Sequence, residues 1–400
     1  MIRHHAFFET LGAAEEKSPE WNVVFAGLST LRLVDRLTAD PESDQADRSE
    51  LDATSAAIEA VSPGDPVRAI LSRIVGRLSE STELTHDLGS DVITYGRSLD
   101  LQGRWTLAAD VFQSVAAAFS ERAHPRIIIE ASTALGAAAR NSGDWETSKH
   151  AYARAEHLAE RIGDHALALT ARVGIATSHM VKGNLPAAEA ELDEVLAQAN
   201  AERIESVQAI ALHARASVAH SRRDYQQAIH LAYRSLELTT NPSARERLLA
   251  DIAAAYADLG MRETARTAYS IVALTSPHQW VRWQSTLNLI ELAILDGDEE
   301  AFESYFKQIE GATLDPKLQS YALYFRALGH RKFARQDADQ LFNEAQSFAE
   351  AHELNQLAFE IERARTTAPV SSASVSPSNE LLQIAEMIEH LRDRVSIESG

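Results

Sequence analysis

The stretch Gly143-Asp144-Trp145-Glu146-Thr147-Ser148-Lys149-His150-Ala151-Tyr152-Ala153-Arg154-Ala155 carries the pattern from which the fold can be read. A glycine closes one helix, because it takes left-handed backbone geometry at little steric cost. A bulky residue follows two positions later, and Ser148, Tyr152 and Ala155 then fall at spacings of four and three, one face of a second helix. The same marks stand 40 residues to either side, at Gly103-Arg104-Trp105 and Gly183-Asn184-Leu185. A further step of 40 lands on Arg223-Asp224-Tyr225, and steps of 37 reach Gly260-Met261-Arg262 and Gly297-Asp298-Glu299. The small-and-bulky set travels with the turns: Ala108/Phe112/Val115, Ala188/Leu192/Val195, Ala228/Ala232/Ser235, Ala265/Tyr269/Val272, Phe302/Phe306/Ile309 and a weaker Ala338/Phe342/Ala345. Before each turn a small residue marks where two helices approach: Gly96, Gly136, Ala176, Ala216 and Ala253, with Ile290 as a departure. A lone helical hairpin leaves apolar surface exposed, so hairpins of this kind stack on their neighbours.

The order Leu135-Gly136, Gly143, Trp145, Tyr152, Ala155 resembles the tetratricopeptide repeat (TPR). The stretch from Ala155 to Gly183, with Arg161-Ile162-Gly163-Asp164 between helices, resembles the longer variety, of about 40 residues, found in kinesin light chains and bacterial signalling regulators. The likeness covers about residues 84–350. It implies an all-α chain, a right-handed superhelical α-solenoid of about seven TPR-like hairpins with helical caps at both ends. The proline usual after the second helix is mostly absent, although Pro242 and Pro277 stand at repeat junctions, and the last two repeats are degenerate.

Outside the repeats, Ser18-Pro19-Glu20 is a helix start, with a capping hydroxyl, proline in the first turn and an acid behind it. Trp21, Val24, Phe25, Leu28 and Leu31 continue that helix to Asp40-Pro41. Ser62-Pro63-Gly64-Asp65 reads as a turn within a degenerate repeat over 49–80, and the acidic segment Asp40 to Glu50 as an exposed loop. Thr366 to Ser378 holds five serines, two prolines and no charge, the composition of a linker. After it, Leu381, Ile384, Ile388, Leu391 and Val395 form the stripe of a short amphipathic helix that must dock on something. The expected organisation is a cap and degenerate repeat over 1–82, a solenoid over 83–365, a linker over 366–378 and a C-terminal amphipathic helix over 379–400.

The chain carries 38 Lys+Arg against 58 Asp+Glu, a net charge of -20, which speaks against direct nucleic-acid binding and against a polybasic membrane anchor. With no cysteine it has no disulfide and no thiolate metal site. No apolar run is long enough to cross a membrane or to serve as a secretory signal, so a cytoplasmic location is expected. Only six of the basic residues are lysine, a bias that fits a GC-rich bacterial genome. Phosphate-loop, dinucleotide, nucleophile-elbow and zinc-protease signatures are all missing. His4 and His5 are adjacent and do not share a helical face; His213 and His220 share one but stand roughly 10 Å apart by helix rise, too far for one ion. Acids such as Asp144/Glu146 and Asp298/Glu299/Glu300 sit where helices begin and suit the helix dipole, while Trp105 and Trp145 suit hairpin packing. No catalytic residue, cofactor or metal ligand is therefore expected.

In the resembled family the first helix of each hairpin lines a concave groove. The family's inward offsets fall here on Arg97, Asp100, Glu130, Arg140, Asn141, Thr177, Met180, His213, Ser217, His220, Arg247, Asp258, Glu291, His330 and Arg331. The formal charges of this set cancel, so the groove is expected to be less acidic than the rest of the surface, with a central His213–His220–Arg247 patch. Arg97, Arg140, Asn141, His213, His220, Arg247, His330 and Arg331 are the candidate peptide-binding residues, suited to a carboxylate or acidic side chains. The implied function is a non-catalytic scaffold or adaptor that binds a protein or peptide segment. The alternative is a regulatory sensor of a signalling peptide or small molecule working through a conformational switch. Self-association through the C-terminal helix is a further expectation.

Overall fold

The computed structural model describes residues 3–39, 48–81, 83–312, 314, 316–352, 354–366 and 378–398, and within them every regular element is an α-helix. The chain divides into two compact units, Met1–Val207 and Gln208–Gly400. Both are built from the same local chemistry. The turn between helices repeats a cap in which a carboxylate or amide accepts a backbone N–H: Asp144 from Thr147, Asp164 from Leu167, Asn184 from Ala187, Asp224 from Gln227 and Asp298 from Ala301. Just before each cap the chain turns left-handed, at Gly143 (φ 83°) and Gly183 (φ 80°) for example. Arg203 and Arg223 take the same geometry without glycine, at φ 57° and 62°.

The first unit opens with α1 (His5–Ala13), α2 (Pro19–Ala39), α3 (Arg48–Glu59) and α4 (Pro66–Glu80). Hairpins follow as α5 (His86–Leu101) with α6 (Trp105–Ala118), α7 (Pro125–Asn141) with α8 (Trp145–Arg161), and α9 (His165–Val181) with α10 (Leu185–Ala201). Helices α1 and α2 cover the outside of α6, burying Leu107 and Val111. Arg48–Glu50, expected within a loop, instead begin α3; Asp40–Ala46 and Asp47 lie outside the described residues. The α1 helix was not expected. Neither the sequence before it nor its own side chains cap it, and it is held by tertiary contacts.

The second unit contains most of α11 (Glu205–Ser221) and pairs it with α12 (Tyr225–Leu238), where the Ser235 hydroxyl donates to the Ala209 carbonyl at 2.7 Å. The next hairpins are α13 (Pro242–Asp258) with α14 (Arg262–Thr275), α15 (Gln279–Asp296) with α16 (Glu299–Ile309), and α17 (Pro316–Lys332) with α18 (Ala338–Ala351). Then come α19 (Asn355–Thr366), packed on α18, and α20 (Asn379–Glu398), packed on α14 and α12. The expected linker, apart from its two end residues, lies outside the described residues.

Seven consecutive TPR-like hairpins, α5/α6 to α17/α18, give the all-α fold class that the sequence pattern implies. Large and small side chains lock them. A β-carbon on Gly136 would stand 2.8 Å from the Tyr152 ring, and one on Gly174, in the next hairpin, only 2.1 Å from it. In the second unit the ring sits one turn earlier in the pattern: Phe302 fills the position that is alanine or serine in the other hairpins, and Gly329 in the next hairpin makes room for it, also at 2.1 Å. The apparent degeneracy of the sixth and seventh repeats is thus partly a compensated exchange of volume.

Candidate functional site

Within each unit the first helices of neighbouring hairpins approach one another, α5 with α7 and α7 with α9 in one, α15 with α17 and α17 with α19 in the other. They form a wall on one face of each unit, and the sequence-selected residues all lie on first helices of hairpins. In the first unit the Arg97 guanidinium stands 3.9 Å from the Glu130 carboxylate and is exposed. Arg140 donates to the Tyr152 hydroxyl at 3.2 Å and to the Asn141 side-chain oxygen at 3.4 Å. Cation and acceptor are matched here, and Asn141 remains exposed. Trp145 carries the Lys182 ammonium 4.9 Å above its ring, a packing role at the hairpin end.

The second unit differs. His213 Nε2 lies 2.6 Å from Asp251, and His220 Nε2 lies 3.0 Å from Asp258. The two histidines are one pair of helical turns apart on α11, and the two aspartates repeat that spacing on α13, so each pair is separated by the same register. The hydrogen bond with Asp258 raises the His220 pKa; burial opposes it, and the charges of Asp258 and Asp251 add to the rise. The His220 ring also meets Tyr225 edge-on at 5.3 Å. Arg247 is exposed. Ser217 donates to the backbone carbonyl of His213 at 3.2 Å rather than to its ring, so the histidine–aspartate pairs do not activate that hydroxyl.

Further along the wall, Glu291 is exposed at the surface, with protein gathered around its base. That crowding, then the charges of Asp258 and Glu360, lifts its carboxyl to about 6. Tyr324 is raised to about 12 by burial and then by Glu360 and Glu291, and Tyr321 rises for the same reasons. Tyr269 is raised by burial, then by Glu291, Asp251 and Asp258. Four carboxylates and three phenols therefore share one electrostatic neighbourhood, in which the two histidines are already committed to aspartates. Asp251 and Glu360 join the balanced set drawn from the sequence, and Arg363, which with Arg331 opposes the rise at Tyr324, joins it from the other side of the charge balance. A signal for Asp251 was present: it precedes Asp258 by the interval that separates His213 from His220.

His330 and Arg331 are used by the fold. His330 Nδ1 lies 2.7 Å from Asp337, which it holds below the usual carboxylate range, and the His330 ring meets Phe302 edge-on. Arg331 donates to the Ala364 carbonyl and lies 4.8 Å over the Phe342 ring, tying α17 to α18 and α19. Among the described residues no cluster of three His, Asp or Glu side chains is arranged to hold a metal ion, and no helix is long and apolar enough to cross a membrane.

No family model matches the chain. No curated protein matches it either. Among solved structures it is similar to NprR in complex with its cognate peptide NprX, with 13% identity, a TM-score of 0.49, and 83% of this chain and 86% of that one covered. The apo form of the quorum sensor NprR from B. thuringiensis aligns with 16% identity and a TM-score of 0.47, over 82% of this chain and 88% of that one. PilF of Pseudomonas aeruginosa aligns with 16% identity and a TM-score of 0.36, over 58% of this chain and 96% of that one.

Proposed function

We propose that the chain is a non-catalytic protein-interaction scaffold whose second unit holds a cationic segment of a partner protein against its inner wall. The observation that carries this reading is the gathering of Glu291, Asp251, Asp258 and Glu360 around Tyr269, Tyr321 and Tyr324, close enough for the charges of Asp258 and Glu360 to raise the Glu291 carboxyl. Like charges crowded on one rigid wall are relieved by a bound cation, and the neighbouring Tyr321 and Tyr324 rings suit the alkyl stem or guanidinium of a lysine or arginine. Arg247 in this unit offers donors to the backbone carbonyls or carboxylates of that segment; Arg97, Arg140 and Asn141 are donors of the first unit, taken by itself. His213 and His220 act through the aspartates they hold, whereas His330 and Arg331 serve the hairpin packing.

The test is fluorescence anisotropy of the full chain with labelled Lys/Arg-rich, neutral and Glu-rich peptides of equal length, at low and high salt. Binding of the basic peptide is expected, weakened about tenfold by Glu291→Gln with Glu360→Gln and reduced by salt. Preference for the Glu-rich peptide, or a basic-peptide affinity untouched by that double substitution, refutes the assignment.

A further inference from the structure

The surface under α20 has features its counterparts elsewhere in the chain lack. Helix α20 lies across α14 and α12, the second helices of consecutive hairpins, and buries Leu381, Ile384, Ala385 and Ile388 to 8% exposure or less. Between them α13 sends up Tyr256, fully buried, whose hydroxyl donates to the Leu381 carbonyl at 2.8 Å. The outward positions of α14 are Thr264, Ala268 and Ile271, all buried. The repeat-equivalent positions of α8 end in Arg154, and those of α10 are Ala187, Glu191 and Glu194. The α14 face is thus apolar where those of α8 and α10 carry charge, and the chain supplies the helix that covers it.

The edges of this contact are light. His230 and Glu380 pair at 2.7 Å with 38% and 61% of their side chains exposed, and the Tyr233 hydroxyl reaches the Met387 sulfur at an exposed site. The α20 helix joins no hairpin: eleven residues outside the described set and Ser378 separate its start from the end of α19 at Thr366. Helical stability in proteins comes mostly from packing an amphipathic face, so α20 draws much of its helicity from the surface it lies on. Burial is concentrated in one stripe, which makes docking a single cooperative event.

We propose that the outer face of α12–α14 is a helix-binding surface and that α20 is its detachable resident, an amphipathic helix with an acid ahead of apolar residues spaced three and four apart. The hairpins beneath stay folded when α20 leaves, and the same surface then accepts that helix supplied in trans. This inference is independent of the inner-wall reading, since it concerns the opposite face of the hairpins.

Hydrogen–deuterium exchange on the full-length chain tests it, using the native sequence, Ile384→Asp with Ile388→Asp, and Tyr256→Phe, each with and without a synthetic peptide of residues 379–398. In the double variant, exchange over 379–392 should accelerate about tenfold or more and that of 262–275 severalfold, with 279–309 still protected. Added peptide should restore slow exchange over 262–275. Tyr256→Phe, which removes one hydroxyl, should accelerate 379–392 less, with no other change. The proposal fails if freeing 379–392 leaves 225–275 unaltered, if protection collapses throughout 242–309, or if the peptide restores nothing in the folded double variant. Should the double variant fail to fold, Tyr256→Phe decides: an unchanged exchange rate over 379–392 also overturns the proposal.

Discussion

Each of the two units lays an additional helix on the outside of its hairpins, and the two helices are fastened by opposite means. In the first unit α1 reaches Asp110 of α6 through His4; in the second α20 reaches His230 of α12 through Glu380. Positions 110 and 230 are equivalent in the repeat, two residues beyond Ala108 and Ala228, so the charges are simply exchanged. The surroundings are not equivalent. The His4 side chain is 3% exposed, between Asp110 at 2.8 Å and Asp35 at 3.1 Å, and Arg3 also touches Asp35. His230 and Glu380 are open to water, where such a pair contributes between about 0 and 1 kcal/mol. A cover sealed by buried charge is a permanent part of its unit; one held by an apolar stripe and an exposed pair is built to leave. The floors differ as well, in the opposite sense. Where the second unit has Tyr256 beneath α20, the first has Ala139, and a cavity of about 580 Å³ lined by Leu135, Ala139, Asp110 and the α1 end stays open there.

The largest expected effect removes the seal. His4→Ala leaves Asp35 and Asp110 facing each other without their shared cation, a loss of about 3 kcal/mol in the urea stability of the first unit. Burial alone would lower the His4 pKa, but Asp110 and Asp35 overcome it and raise it to about 9 from 6.5. A raised histidine stabilises fully below its unfolded value, so this contribution is complete below about pH 6.5 and fades as pH climbs through about 9. In the native chain the protection factors over residues 5–13, with the intrinsic rise of exchange with pH divided out, should therefore fall above that pH, and in His4→Ala they should already be low at neutral pH. A flat profile from pH 7 to 10 would make the two covers alike after all.

Next in size are the ring-and-glycine locks, which the comparison predicts to be equal in the two units. Gly174→Ala pushes a methyl to 2.1 Å from Tyr152, and Gly329→Ala does the same to Phe302. Each should cost about 2 kcal/mol by overpacking. Denaturant melts that show one site tolerating alanine while the other does not would reveal a ring with room to swing.

A smaller effect separates the inner walls. Glu291→Gln replaces a carboxyl already raised to about 6, so it should slightly increase thermal stability at pH 7, where the native side chain is ionised among like charges. The advantage should disappear on titrating down through pH 6 toward 4.5, because a raised carboxyl disfavours the fold only once it is charged. Glu130→Gln, in the balanced first unit, should lose a little stability instead, since Glu130 faces Arg97. The same sign for both substitutions in parallel melts would erase the distinction between the walls.

How much of this was legible follows the range of the forces. The hairpins were, because glycine turns, caps and three-four spacing act within a few residues of one another. The α1 helix was not: its N-cap residue, His4, is left-handed at φ 59° and makes no capping bond, and its hold comes from partners at positions 35 and 110. The α20 stripe was readable, while its seat required noticing that Ala268 and Ile271 stand where α8 and α10 carry Arg154, Glu191 and Glu194. Among the wall residues, His213 and His220 were placed by the resembled family's inward offsets and their pairing with aspartates was missed, since contacts across hairpins leave no local pattern. His330 and Arg331 were assigned by offset to the groove, but the end of α17 is close enough to Asp337 and Ala364 for both to be drawn into the packing.

The faintest mark in the repeat yields the smallest prediction. The step of 40 from Gly183 lands on Arg223, and the backbone there is left-handed all the same, at φ 62°. An arginine pays a steric penalty in that region which glycine avoids, on the order of 1 kcal/mol, so the position obeys the hairpin geometry at the expense of its own preference. Arg223→Gly should recover about 1 kcal/mol less the entropy that glycine adds to the unfolded chain, and should raise the melting temperature of the second unit by a degree or two. Gly183→Arg, the mirror substitution at the matching turn of the first unit, should lose about as much, from φ 80°. Differential scanning calorimetry of both variants would show opposite shifts if turn geometry is imposed by the stacked hairpins; a loss of stability in Arg223→Gly would mean that the arginine side chain, not the turn, is what the second unit requires there.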